Sequence, residues 1–186
     1  PLLQPAQYVA IDISTDFVHD ALARLRQRFP QIAMEALGMD FSSNFELPPQ
    51  VNAGRRLFFY PGSSIGNFTP DEAQGFLTRL RAQCGNDGGV LIGIDLAKDA
   101  ATLDAAYDDA LGVTSAFNLN LLRHVNRLID ADFDIKGWQH RGAYNAAMGR
   151  IEMHLEARSA QTVHWRGGER RFEAGERIHT ENSYKY

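Results

Sequence analysis

Short apolar runs that close on a carboxylate or a Pro-Gly pair constrain this chain most. "YVAIDIS" (Tyr8 to Ser14) delivers Asp12, "LFFY" (Leu57 to Tyr60) stops at Pro61 and Gly62, and "GGVLIGIDLA" delivers Asp95. A further run, "IAMEALGMDF", delivers Asp40 and Phe41. Near-continuous apolar runs of this length read as strands buried on both faces. Two amphipathic stretches separate them. "STDFVHDALARLRQRFP" has Ser14 or Thr15 as a cap, an apolar stripe of Phe17, Val18, Ala21, Leu22 and Leu25, and Pro30 at its end. "TPDEAQGFLTRLRAQC" has Thr69 at the cap, Pro70 in its first position and acidic residues in its first turn. The order strand, helix, strand, strand, helix, strand predicts an α/β fold with a parallel sheet covered on both faces.

The second half changes character. From Lys98 to Ile129 the periodicity is helical, with a break at Gly112. "GRIEMHLEARSAQTVHW" and "ERRFEAGERIHTENSYKY" then alternate as antiparallel strands do. This predicts two parts, a sheet domain over residues 1–97 and an appended α+β lobe over 98–186. The chain opens at "PLLQPAQYVAID", already close to a strand, and is expected to be a portion of something longer.

Composition narrows the function classes. A net charge of -4 and the lack of a basic stripe argue against a nucleic-acid surface. The longest apolar stretch is too short to span a bilayer, and the start lacks a signal-peptide pattern, so no membrane partner is expected. The single cysteine, Cys84, excludes an internal disulfide framework and suits the cytoplasm. Its place at the end of an amphipathic helix predicts a structural thiol. The six histidines form no HExxH motif and no close cluster with cysteine, so no metal site is expected.

In an open α/β sheet, ligands bind beyond the carboxyl ends of the strands. Asp12 there can accept both hydroxyls of a ribose diol, and Asp40 with Phe41 can meet a purine amine and cover a base face. Each carboxylate can equally cap a helix or solvate a loop. Neither GxGxxG nor GxxxxGK[ST] occurs, which excludes the dinucleotide fingerprint and the P-loop from these residues. A phosphate-free nucleoside cofactor fits, and S-adenosylmethionine is the common one. Asn67, in "YPGSSIGNF", either presents its carboxamide over the strand ends or bonds its own backbone in a turn.

"FYPGSSIGNFTPDEA", "GIDLAKDAATLDAAYDDALGVTSAFNLNLLRHVNRLI", "ADFD", "RIEMHL" and "IHTENSYKY" occur in that order. Together they resemble the histidine-specific, S-adenosylmethionine-dependent methyltransferases that make hercynine for ergothioneine, from about Tyr8 to the end. The resemblance implies a Rossmann-like methyltransferase sheet with a substrate lobe split around it in sequence. This chain would then be a fragment, inactive by itself. It would lack the N-terminal part of the lobe, the glycine-rich cofactor loop and the last strands. It further implies that Asp12 holds the ribose and that Asp40 and Phe41 hold the adenine. Asn67 would bind the carboxylate and amino group of L-histidine, and Tyr107 the carboxylate. Thr114, Phe117 and Met153 would line the pocket, while Glu181 and Ser183 would grip the imidazole. No catalytic base stands out among these residues.

The closing run, "RIHTENSYKY", is where the alternatives separate. Strict alternation puts Ile178, Thr180, Asn182, Tyr184 and Tyr186 on one face, and His179, Glu181, Ser183 and Lys185 on the other. On a solvated edge strand the second set is incidental, and His179 is expected to be structural or solvated. In a pocket, a carboxylate and a hydroxyl at i and i+2 can engage both nitrogens of an imidazole, whereas an indole has one N–H. Glu181 therefore favours L-histidine over a tryptophan derivative as substrate for an amino-acid Nα-methyltransferase. A non-catalytic module that binds an adenosyl ligand is the reading from another class.

Overall fold

A computed structural model describes residues 4–42 and 45–186. Contacts group the chain into two units, one of Pro1–Tyr60 with Asp71–Ile92, the other of Pro61–Pro70 with Gly93–Tyr186. The sequence divides at residue 97; the contacts divide at Ile92, and they add Pro61–Pro70 to the second unit.

In the first unit, strand β1 (Gln7–Asp12) is followed by helix α1 (Thr15–Arg28) and strand β2 (Ala33–Gly38). Strand β3 (Leu57–Tyr60), helix α2 (Pro70–Cys84) and strand β4 (Gly89–Ile92) come next. β1 pairs with β2 in parallel, Asp12 opposite Gly38, and β3 pairs with β4 in parallel, Tyr60 opposite Ile92. Helix α1 buries Val18 and Leu22 against Met34 of β2, with Ala10, Leu25 and Phe29 around them. Phe17, assigned to this stripe by spacing, is 70% exposed instead, so the stripe is narrower than its periodicity suggests. The single covered sheet expected from the apolar runs is replaced by two separate parallel pairs. Leu57, Phe59 and Leu91 all remain exposed, because in strands of four residues alternate side chains leave the face that a helix can cover. Cys84 is buried at the end of α2.

The second unit contains helices α3 (Ala100–Tyr107) and α4 (Val113–Ile129), separated around Gly112 as the sequence predicts. Strands β5 (Trp138–Asn145), β6 (Arg150–Ala157) and β9 (Arg177–Tyr184) form an antiparallel sheet in the order β5-β6-β9. Strands β7 (Gln161–Trp165) and β8 (Gly168–Phe172) form a separate hairpin. One face of the three-stranded sheet carries Trp138, His140, Tyr144, Ile151, Met153 and Leu155 by register. Helix α3 closes part of it with Leu103 against Ile151 and Met153. Helix α4 closes the rest, where Leu122 packs with Trp138, Leu155, Val163 and Phe172. Trp138 and Phe172 meet edge to face at 5.0 Å between ring centroids, a favourable arrangement of their quadrupoles.

The stretch "GGVLIGIDLA" is strand only through Ile92. Beyond it Ile94 and Leu96 are exposed, which corrects the expectation of a buried strand reaching Ala97. Asp95–Ala97 instead meets the chain end. The Tyr186 N–H donates to the Asp95 carbonyl (3.1 Å), and the Ala97 N–H donates to the Tyr186 carbonyl (2.8 Å). Among the described residues, no helix is long and apolar enough to cross a membrane.

Two predictions follow from these contacts. A Cβ at Gly142 would lie 2.6 Å from the Tyr107 carbonyl oxygen, so the end of α3 rests on β5 only because position 142 has no side chain. Gly142→Ala should destabilise the second unit by about 1–3 kcal/mol, the usual cost of overpacking, measured by urea unfolding. At the start of α4, Asp109 accepts the Val113 and Thr114 N–H groups at 3.0 and 2.8 Å. The Thr114 backbone bond, then that of Val113, holds the Asp109 carboxyl down to about 2. A depressed carboxyl stabilises the fold above its unfolded value near 3.8 and loses that contribution as pH falls toward 2. Asp109→Ala should therefore lower Tm at neutral pH, with the difference from wild type vanishing across that window.

Candidate functional site

Parallel pairing brings the ends of β1 and β2 together, and the Met39 N–H donates to the Asp12 carbonyl at 3.3 Å. Asp12 and Asp40 are thus at the same end of adjacent strands, both exposed. Asp12 Oδ1 accepts the Ser14 N–H (2.8 Å), a local turn that starts α1. Its Oδ2 has no partner among the described residues. Asp40 Oδ1 accepts both the N–H (2.9 Å) and the hydroxyl (2.5 Å) of Ser42. Phe41 is half-buried beside Tyr60 and Phe76, with ring centroids 5.8 and 6.0 Å away. A carboxylate oxygen open to solvent, a second carboxylate and an aromatic ring at one strand-end edge match the needs of a ribose and a base.

In the second unit the closing strand organises the chemistry. Register places Met153 opposite Glu181 but His154 opposite His179, so Thr180 is an extra residue, a β-bulge. The bulge breaks the strict alternation read from sequence. His179 shares a face with Asn182, whose Oδ1 lies 2.8 Å from His179 Nε2, and this corrects the assignment of the two to opposite faces. The His179 ring stacks on His154 at 4.7 Å on that solvent-facing side. Glu181 and Ser183 share the helix-covered face with Met153 and Ile151, and below the bulge that face also includes Ile178.

Ser183 is buried, and its hydroxyl lies 2.9 Å from the Tyr107 hydroxyl at the end of α3. A residue not singled out by sequence completes the cluster. Lys185 Nζ donates to Tyr107 Oη (2.7 Å) and to Ser183 Oγ (3.0 Å), and lies 3.1 Å from Asp95 Oδ2. The alternation puts Lys185 on the face of Glu181 and Ser183, but a lysine near a strand end is ordinarily solvated, so its burial has no signal in the sequence. Asp95 also receives Lys98 Nζ at 2.5 Å. That bond chiefly holds the Asp95 carboxyl below the usual range, against the opposing effect of burial.

The 3-10 turn Ser64–Asn67 lies against β9, because a Cβ at Gly66 would meet the Tyr184 carbonyl at 2.9 Å and Ser183 Oγ at 3.2 Å. Asn67 therefore follows directly on the Ser183 contact, exposed and without a side-chain partner among the described residues. Glu181 is half-buried, and its carboxylate likewise has none; burial pushes its pKa up. The end of α3 is held from the other side by His140. Its Nε2 must donate to the Tyr107 carbonyl (2.7 Å), which leaves Nδ1 to accept from Asn118 of α4 (2.9 Å).

Not all the residues implied by resemblance join this cluster. Met153 does: it is 4% exposed beneath α3, directly opposite Glu181 in the register and on the same face. Thr114 is in the first turn of α4 and gives its N–H to Asp109. Phe117, one turn on, is 63% exposed. Tyr107, Ser183, Lys185 and Asp95 are bonded to one another, Met153 and Glu181 share the face of Ser183, and Asn67 follows the Gly66 contact with Ser183.

Comparison with known proteins gives these residues a family. The model for histidine-specific methyltransferases, SAM-dependent, matches residues 2–186. The chain is 39% identical over 182 residues to the histidine N-alpha-methyltransferase of Mycolicibacterium smegmatis, covering 97% of this chain and 56% of that protein. It is 37% identical to that of Mycobacterium tuberculosis with the same coverage. The ergothioneine biosynthesis protein 1 of Neurospora crassa is 32% identical over 140 residues, 74% of this chain and 16% of that protein. The chain thus spans about half the length of the bacterial relatives it matches. On a match across nearly every residue, the chain belongs to the SAM-dependent, histidine-specific methyltransferase family.

Proposed function

We propose that the protein to which this chain belongs transfers methyl groups from S-adenosylmethionine to the α-amino group of L-histidine, yielding trimethylhistidine, the first step of ergothioneine formation in the cytoplasm. The first unit is then part of a Rossmann-like cofactor domain, and the second is part of a substrate lobe. The observation that carries the reading is the Glu181 carboxylate, without a partner among the described residues, two residues from the Ser183 hydroxyl on one face. A carboxylate accepts from an N–H and a hydroxyl can donate to a bare nitrogen, so the pair matches an imidazole.

Asp12 fits the ribose because Oδ1 is committed to Ser14 while Oδ2 remains open. Asp40 and Phe41 fit the adenine. When bound, the sulfonium supplies a methyl group already activated for in-line displacement. The chain's own residues bind and orient: Asn67 and Tyr107 take the amino and carboxylate groups, and Glu181 and Ser183 fix the ring. Such orientation at near-attack distance is where most of the rate of a displacement of this kind arises.

Glu181→Gln in the full-length protein tests the reading. Gln keeps the shape but removes the charge, and charge-assisted hydrogen bonds are worth about 1.5–3 kcal/mol, so the histidine KM should rise about tenfold or more with the cofactor KM unchanged. The same substitution should raise stability. A carboxyl whose pKa is raised by burial destabilises the fold only when ionised, so the gain should be present at neutral pH and vanish as pH falls below the usual range, about 4.3. Loss of both affinities together with a lower Tm would defeat the assignment. Asn67→Ala should likewise weaken histidine and spare the cofactor, since the exposed carboxamide supports no fold contact among the described residues. Isothermal titration with each ligand separately checks it, and a parallel loss of cofactor binding would contradict it.

A further inference from the structure

The Lys185 side chain is 0% exposed, although the proposed substrate contacts make no use of it. A buried ammonium without partners costs several kcal/mol, so the oxygens around it are what keep it there. Nζ has three N–H donors and no acceptor. Three side-chain oxygens surround it, those of Tyr107 at 2.7 Å, Ser183 at 3.0 Å and Asp95 at 3.1 Å. One N–H for each oxygen uses every donor.

This count biases the polarity of the two hydroxyls. Each oxygen gives one lone pair to Lys185, so its own proton cannot point at Nζ and is left for another acceptor, while an N–H cation brought to the remaining lone pair would lie against the ammonium. In this structure the two oxygens are 2.9 Å apart, so one hydroxyl donates to the other and the second proton points elsewhere. A ligand that takes both protons breaks only that mutual bond, and each oxygen remains satisfied by Lys185.

We propose that Lys185 is a positioning residue that holds Ser183 and Tyr107 as hydrogen-bond donors toward the substrate, which makes the ring subsite selective for the neutral imidazole. The inference rests on the histidine reading of the Glu181 and Ser183 pair. Glu181 takes the ring N–H, and Ser183 gives its proton to the bare nitrogen. An imidazolium has an N–H at both positions, so one of them would have to use the second lone pair of Ser183, beside the Lys185 ammonium 3.0 Å from that oxygen. An indole offers Ser183 nothing to donate to.

The titratable groups facing Lys185 and Ser183 are few. The segment after β4 contributes Asp95 and Lys98, α3 contributes Tyr107, and β9 contributes Glu181. Strand β6 presents Ile151 and Met153 on this face, and the turn Ser64–Asn67 has no titratable side chain. On β5, His140 is turned to the Tyr107 carbonyl and to Asn118, and Tyr144 packs beside Leu103. Asp95 keeps Lys98 as a partner when Lys185 is replaced, so Lys185→Met loses the charge, retains the apolar stem and leaves no orphaned carboxylate.

The test measures histidine and cofactor KM in the full-length protein between about pH 5.5 and 8.5, for wild type and Lys185→Met. In the wild type, histidine affinity should fall as the ring protonates below about pH 6.5. In Lys185→Met, histidine KM at pH 8 should rise at least tenfold, cofactor KM should stay within twofold, and the acid-side loss of affinity should flatten. The flattening arises because, without the ammonium beside it, Ser183 can accept from an imidazolium with no like-charge repulsion. A uniform loss with the wild-type pH profile would overturn the proposal, since a merely structural lysine gives that result. Should the variant fail to fold, the wild type still decides by calorimetry in buffers of different ionisation enthalpy. Protons released on histidine binding should decrease by about one between pH 5.5 and 7.5, a range in which the free α-amine stays protonated. No decrease means that the imidazolium binds, and it overturns the proposal. A wild type that binds histidine but shows no such linkage defeats the role of Lys185 alone; one that neither binds nor methylates histidine defeats the function as well.

Discussion

Lys185 carries a charge with no access to water, and the second unit is arranged around the three oxygens that accept from it. Asp95 comes from the segment after β4, Tyr107 from the end of α3 and Ser183 from β9. Separating any of these segments would strand the ammonium, or leave a hydroxyl without its donor, and removing one partner of a buried ion typically costs about 3–5 kcal/mol. The backbone repeats the same connection. Lys185 N–H donates to the Gly149 carbonyl, and Tyr186 exchanges bonds with Asp95 and Ala97. Strand β9, the segment at 95–97 and helix α3 are thereby registered against one another, and that registration places the candidate substrate groups.

Close backbone approach makes this arrangement possible. Gly66 lets the turn at Ser64–Asn67 rest on the Tyr184 carbonyl and the Ser183 hydroxyl, and Gly142 lets the end of α3 rest on β5. Both approaches bring a polar group to the same cluster: Asn67 follows Gly66, and Tyr107 is the residue above Gly142. Glu181 stands out against this well-satisfied background. Asp95 has lysine partners and Asp104 has an N–H, while Glu181 is half-buried and unpartnered among the described residues, with a raised pKa. Groups left unsatisfied by the fold at a cost in stability are those a ligand can satisfy.

Much of the local structure was legible in the sequence because it depends on neighbours in the chain. The helices, the break near Gly112, the strands ending on Asp12 and Tyr60, and the alternation of β6 all follow from caps, periodicity and turn residues. The errors have a common form. Phe17 matches the helical stripe yet faces solvent, and Leu57, Phe59 and Leu91 read as core yet are exposed, because periodicity says which residues share a face but not what covers it. Strand β5 has a weak sequence signal although Trp138, His140 and Tyr144 alternate with Gln139, Arg141 and Asn145, because its polar positions mask a buried face.

The sequence by itself determined the family, through several motifs in a fixed order, and it determined the residue types that an imidazole and a nucleoside require. Tertiary structure alone decided how those residues face. The bulge at Thr180 reverses the alternation midway along β9, so that His179 joins Asn182 while Glu181 and Ser183 turn toward the helices. Pairing of distant segments also converted Lys185 from an ordinary surface lysine into a buried donor. Neither outcome can be read from local spacing, because each depends on strand register and on contacts between residues as far apart in sequence as Asp95 and Lys185.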